Sequence, residues 1–279
     1  MCIRDRAYAT FGVPTIPFYI FYSMFGFQRV GDMIWASADM MAKGFLLGGT
    51  AGRTTLNGEG LQHQDGHSPI LASTVPSIRT YDPAFAWELA VLVRHGIQRM
   101  FIEDHDELFY LMMYNEARPM PPRPEHEDIE EGVVRGGYLF EPASGSGQRV
   151  NLLGSGTILF EVLEAASTLR EEGFSVAVYS ITSYVELARD AELAEQASGE
   201  AERASAWVST LFNEPDVPIV AATDYVRALP RMISSWLPGR FVALGTDGFG
   251  LSERREALRA HFKVDSASIA NAARKLTGS

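Results

Sequence analysis

The chain has 279 residues, 46% of them hydrophobic and 21% charged, the make-up of a folded globular protein with room for one large domain or two ordinary ones. Its formal net charge is −11 with Lys and Arg scattered along the sequence, which argues against a protein that grips nucleic acid through phosphates. The single cysteine, Cys2, excludes an internal disulfide scaffold, and at a terminus it has no base held beside it to make a nucleophile.

Residues 1–6, MCIRDR, have no periodicity and read as a non-native leader, with a plain polar tail as the alternative. The most apolar stretch, 11–30, is interrupted by Pro14 and Pro17 and closed by Arg29 and Asp32, so it is no membrane span. Arg4 and Arg6 resemble the start of a signal peptide, but no small-residue cleavage site follows the aromatic run. A cytoplasmic protein is expected.

Residues 18–47 carry Phe18, Phe21, Tyr22, Phe25 and Ile34 near helical spacing, which predicts a buried helix beginning after Pro17. Apolar residues on most of its faces place that helix inside a large domain. Residues 48–69 are glycine-rich and polar, a loop of the length that tends to carry function. Ser73 to Tyr81 reads as a short strand. Pro83 opens a helix through Trp87, Leu89, Val91 and Val93 with Asp82 as its N-cap. FYLMMYN (109–115) is a continuous apolar strand, as in a parallel sheet covered on both faces.

The Pro-rich, charged stretch 117–148 reads as a linker with a short hairpin, and it supplies the domain boundary. Beyond it, RVNLLG, FSVAVYSI, PIVAAT and FVALGT read as strands. The helix of 156–173, closed by Gly173, follows the first, and helices follow the others. This alternation predicts an α/β unit with a mostly parallel sheet.

Two glycine patterns carry little. Gly154-Ser155-Gly156 follows a strand and opens a helix, but Leu159 stands where a dinucleotide fingerprint needs its third glycine, which leaves a tight turn. Gly245-Thr246-Asp247-Gly248 resembles the start of a thiamine diphosphate and magnesium motif. The metal-binding Asn expected downstream has only Asn271, in an alanine-rich helical tail, so 245–250 reads as a strand-end turn and helix start.

EGLQHQDGH (59–67) is chemically richest, with Glu59, His63, Asp65 and His67. Histidines at i and i+4 admit zinc, but Gln64 stands where a zinc-protease helix has Glu, and Gly66 disfavours a regular helix. Loop residues tied by mutual hydrogen bonds are a second reading. General acid–base and substrate contact is the third, because histidine titrates near working pH. His95, His105, His126 and His261 stand alone among charges and read as solvated surface. Tyr22, Phe25 and Phe27, on composition alone, read as core.

PFYIFYSMFGFQRVGD (17–32) and GGTAGRTTLNGEGLQHQDGHS (48–68) closely resemble the homodimeric pyruvate dehydrogenases of bacteria. The resemblance continues through TSYVELARD (182–190), ATDYVRALP (222–230) and ALGTDGFGLSERREALRAHFKVD (243–265). It implies an α/β fold: a partial aminopyrimidine-binding, thiamine-fold domain over 7–118, then a transketolase C-terminal-type domain over 119–279. It implies oxidative decarboxylation of pyruvate with thiamine diphosphate and Mg²⁺, the acetyl unit passing to lipoyl groups of a dihydrolipoyl acetyltransferase. A homodimer partner is also implied.

By the same resemblance, Phe25 stacks on the aminopyrimidine, with Tyr22 near the substrate. His63 faces the reacting side, and Glu59 and Arg29 support the site, with His67 and Asp65 as lesser candidates. No metal ligand is expected in this chain. The diphosphate–magnesium motif and the Glu that activates the aminopyrimidine belong to the family's upstream part, so the chain alone is expected to be inactive. The reading of a different class is a non-catalytic dimerisation or interaction subunit of a split 2-oxoacid dehydrogenase.

Overall fold

The computed structural model describes residues 15–125, 128–198 and 206–278. The expected leader 1–6, Cys2 and His126 lie outside them. Two sheets organise the chain. The first is four-stranded and wholly parallel, in the order β1-β2-β4-β3, with β1 at Phe18–Tyr22, β2 at Gly44–Gly49, β3 at Ile78–Tyr81 and β4 at Leu108–Met112. The second is five-stranded, in the order β5-β7-β6-β8-β9, with β5 at Tyr138–Ser144, β6 at Arg149–Gly154, β7 at Ser175–Ser180, β8 at Ile219–Ala222 and β9 at Phe241–Leu244. Only β5, an edge strand, runs antiparallel. The chain is thus an α/β protein with mostly parallel sheets.

The central strands explain themselves. All five residues of β4 and all four of β8 are buried, as in a parallel sheet covered on both faces, where alternation disappears. Helix α1 is Gly26–Asp39, α2 Ser68–Ser73, α3 Ala86–Ile97 and α4 Ile129–Arg135. Helix α5 is Ile158–Glu171, α6 Tyr184–Ser198, α7 Trp207–Leu211, α8 Ala228–Arg231, α9 Arg255–Phe262 and α10 Ser266–Thr277. The two sheets share their apolar interior. One cluster joins Phe45, Leu47 and Phe109 of the first sheet to Val150, Leu152, Val176 and Val220 of the second. Among the described residues no helix is long and apolar enough to cross a membrane.

Several local expectations are corrected. Residues 18–47 are not one buried helix: they form β1, a short 3₁₀ turn at Ser23–Phe25, α1 and β2. Five consecutive aromatic or β-branched residues satisfy a strand better than a helix, and α1 starts at Gly26, where a Cβ would lie 2.0 Å from the Phe21 ring. Nor is this region buried on all faces, since Ile20 is 69% and Trp35 50% exposed.

Before β3 the chain first makes α2, with Pro69 in its opening turn. Asp82 does not cap α3. The Glu88 carboxylate accepts the Ala84 and Phe85 N–H groups at 2.6 and 2.9 Å, reaching back from the third helical position, while Asp82 turns toward Tyr114. No hairpin forms over 117–148: β5 pairs with β7, not with β6. After β9 the chain runs without a helix until Arg255, so 245–250 starts none. His95 is half-buried, edge-on to Phe109 at 6.0 Å, and burial lowers its pKa. His105 and His261 are exposed.

Candidate active site

The sequence candidates converge where β1 ends. Tyr22 is its last residue and Phe25 closes the 3₁₀ turn that follows. The loop after β2 carries Glu59 and then His63, the last residue of a second 3₁₀ turn, Leu61–His63. The three rings form a triangle, with centroids 5.5 Å apart for Tyr22–Phe25 and 5.3 Å for both Tyr22–His63 and Phe25–His63, the last pair edge-on. The Arg29 guanidinium, one turn into α1, lies 3.9 Å from the Phe25 centroid, a cation–π distance. Glu59 Oε2 is 3.5 Å from His63 Nδ1, and that nitrogen is buried without a hydrogen bond. Tyr22, Phe25, Arg29, Glu59 and His63 therefore form one contiguous group. Tyr22 and Phe25 are half-buried rather than core, unlike Phe27, which is buried.

Asp65 and His67 face other tasks. Asp65 is fully buried; it accepts the Ser23 hydroxyl and the N–H groups of His67 and Ser68, the latter two at 3.1 and 3.0 Å. It thereby ties the histidine loop to the turn that carries Phe25. His67 Nε2 meets the Gln28 amide on α1. His63 and His67 share no helical face, since His67 is the residue before α2. Among the described residues no group of three or more His, Cys, Asp or Glu side chains is placed to hold a metal ion.

The second sheet underlies this loop. Asp224, just after β8, is fully buried and accepts four hydrogen bonds from the backbone and hydroxyl groups of Thr54 and Thr55, between 2.6 and 3.0 Å. Burial raises its pKa while those donors oppose the rise. Arg53, also buried, donates to the carbonyls of Thr246 and Gly248. Gly154-Ser155-Gly156 makes the tight turn from β6 into α5: Gly156 has φ +50°, and a Cβ there would sit 2.3 Å from Tyr114 Oη and 2.6 Å from Asp82 Oδ1. Burial pushes Asp82 up to about 7, against hydrogen bonds from Tyr114 and Ser155. Sequence reasoning gave no site role to Ser23, Arg53, Gln64, Asp82 or Asp224, because single polar residues carry no periodic signal.

The folded arrangement is that of the transketolase class. A transketolase from Campylobacter jejuni superposes with a TM-score of 0.71 at 16% identity, covering 96% of this chain and 36% of that one. A protein described as a split-gene transketolase, an inactive β4 tetramer, superposes at 0.68 and 18% identity, covering 99% of this chain and 80% of that one. Family models are more specific: residues 3–121 match the pyruvate dehydrogenase E1 component middle domain and residues 136–265 the transketolase-like C-terminal domain.

The pyruvate dehydrogenase E1 component of Corynebacterium glutamicum is 49% identical over 269 residues, and that of Escherichia coli K12 is 47% identical over 274. These alignments cover 94% and 96% of this chain but 29% and 30% of the relatives. The chain belongs to the pyruvate dehydrogenase E1 component family, and it spans about 30% of the length of the curated relatives it matches.

Proposed function

We propose that this chain supplies the aminopyrimidine and substrate side of the active site of a thiamine diphosphate-dependent pyruvate dehydrogenase, working in the cytoplasm as part of a homodimer. The observation that carries the reading is the group of Tyr22, Phe25, Arg29, Glu59 and His63, five residues from two separate segments, 22–29 and 59–63, brought to one place. The family supports the same chemistry: pyruvate as substrate, and lipoyl groups of an acetyltransferase component as acceptor. The domains divide at 118/119, the first bearing the site and the second supporting it.

The residues present fit a flat heteroaromatic ring. Phe25 is half-buried, with Arg29 over its ring, and His63 Nδ1 has no hydrogen-bond partner. When bound, thiamine diphosphate supplies the electron sink for decarboxylation. Phe25 would hold the ring by stacking. Arg29 and Glu59 would set the local charge, Arg29 beside Phe25 and Glu59 beside His63. His63 would hold or pass a proton at an imidazole nitrogen facing the substrate, with Tyr22 beside it excluding water. Diphosphate and Mg²⁺ would be held by parts of the enzyme outside these 279 residues.

A pyruvate-dependent CO₂ release assay with thiamine diphosphate and Mg²⁺ tests this on the full-length enzyme and on the isolated chain. Turnover is expected from the full-length enzyme alone. A full-length enzyme inert to pyruvate, or an isolated chain that turns over or binds the cofactor at micromolar concentration, would refute it.

A second reading has one observation behind it. The split-gene transketolase chain has nearly the extent of this one, at 80% coverage, and is described as inactive. A non-catalytic subunit of a split 2-oxoacid dehydrogenase would share that extent. Coding DNA that continues upstream in frame separates the two, since a split enzyme begins its chain here beside a partner gene.

A further inference from the structure

We infer that Gln64 is a positioning residue: through it the second domain fixes where His63 stands. The inference rests on the proposed role of His63. Gln64 follows His63 in the chain and is fully buried. Its amide works in both directions. Nε2 donates to Leu56 O at 2.7 Å, closing the histidine loop on itself, and Oε1 accepts Leu251 N–H at 2.7 Å, across from the loop after β9. That second loop is shaped for the contact, since a Cβ at Gly250 would lie 2.4 Å from Gln64 Oε1.

The histidine loop meets the second domain at further points on either side, one in the loop after β9 and one in the loop after β8. Gly58 N–H donates to Glu253 O at 3.2 Å, before the histidine. Val226 N–H donates to Gly66 O at 2.8 Å, after it. Arg53 packs beneath Gly66, where a Cβ would fall 2.2 Å from its guanidinium carbon, and reaches the carbonyls of Thr246 and Gly248. His63 thus sits on a short span held at both ends by the second domain, and the Gln64 side chain reaches that domain from within the span.

The chemistry follows from geometry. A nonpolar residue at 64 leaves the buried carbonyl of Leu56 without its donor and removes the part-buried Leu251 N–H contact to the second domain, and a buried polar group left unpaired drives local rearrangement. A displacement of about 1 Å in a catalytic group costs on the order of 100-fold in rate. Glutamate keeps the acceptor for Leu251, and burial favours its protonated form, which donates to Leu56 as the amide does.

The test is made in the full-length enzyme with Gln64→Leu, Gln64→Glu and His63→Ala. Gln64→Leu is expected to lower kcat at least about tenfold with the KM for pyruvate little changed, and Gln64→Glu to restore most of it. Amide hydrogen exchange without cofactor is expected to quicken over 60–67 in Gln64→Leu while β6 and β8 keep their protection. Wild-type kcat and loop exchange in Gln64→Leu, beside an impaired His63→Ala, would overturn the positioning role alone. Wild-type turnover in His63→Ala would instead overturn the reading on which it rests.

Discussion

His63 meets Phe25 edge-on, their ring centroids 5.3 Å apart, although the two are separated by a helix, a strand and a loop. A positive ring edge directed at an aromatic face is a favoured pairing. It leaves the imidazole Nδ1 toward Glu59. This contact joins the candidate ring shelf to the candidate proton carrier.

Phe25→Ala in the full-length enzyme is expected to weaken thiamine diphosphate binding about two- to tenfold, the equivalent of about 0.5–1.5 kcal/mol of lost stacking. Calorimetric titration in the presence of Mg²⁺ measures it. An unchanged dissociation constant would remove Phe25 from the cofactor shelf.

Asp82 makes stability depend on pH. It is buried, one carboxylate oxygen faces Tyr114 and the other has no hydrogen-bond partner. Its surroundings add Asp224 and Glu88 as like charges, and its pKa is pushed up to about 7 from 3.8. The folded state therefore holds a proton that the unfolded chain has lost, and the stability linked to it is complete below about pH 4 and falls as pH rises through about 7. Asp82→Asn is expected to flatten that decline. Urea unfolding of wild type and variant across this range checks it, and parallel pH profiles would contradict it.

The first domain is also fastened to the second by charge. Arg259 on α9 is buried and pairs with Glu116, just beyond β4, and with Glu161 on α5 at 3.0 Å. Removing it leaves two shielded carboxylates with only the more exposed Arg118 beside them, at 2.7 and 3.3 Å, so Arg259→Ala is expected to cost up to about 3–5 kcal/mol. The solvent-screened Arg274–Glu172 pair provides the control, with Arg274→Ala expected to cost far less. Denaturant midpoints of the two variants would be indistinguishable if the buried pair carried no weight.

The second sheet was legible because β6, β7 and β8 are short apolar runs bounded by turn signals, each followed by a helix. The region of β1 and α1 was not. Its aromatic spacing satisfied a helical period by coincidence, and only pairing with β2 decides that Phe18–Tyr22 is extended. Asp82 looked like a cap because it precedes Pro83, yet the cap came from Glu88, whose longer side chain reaches back to the same amides. For the site, residue types and a family resemblance pointed to Tyr22, Phe25, Arg29, Glu59 and His63. The burial of Ser23, Arg53 and Gln64 depends on contacts between segments far apart in sequence, which no local pattern records.

The role proposed for His63 in the chemistry is checked by steady-state pyruvate turnover of the full-length enzyme carrying His63→Ala, with folding verified by thermal unfolding. A loss of about 10²–10⁴-fold in kcat is predicted, as for removal of a positioned acid–base group. Wild-type turnover in a folded, cofactor-loaded variant would contradict it.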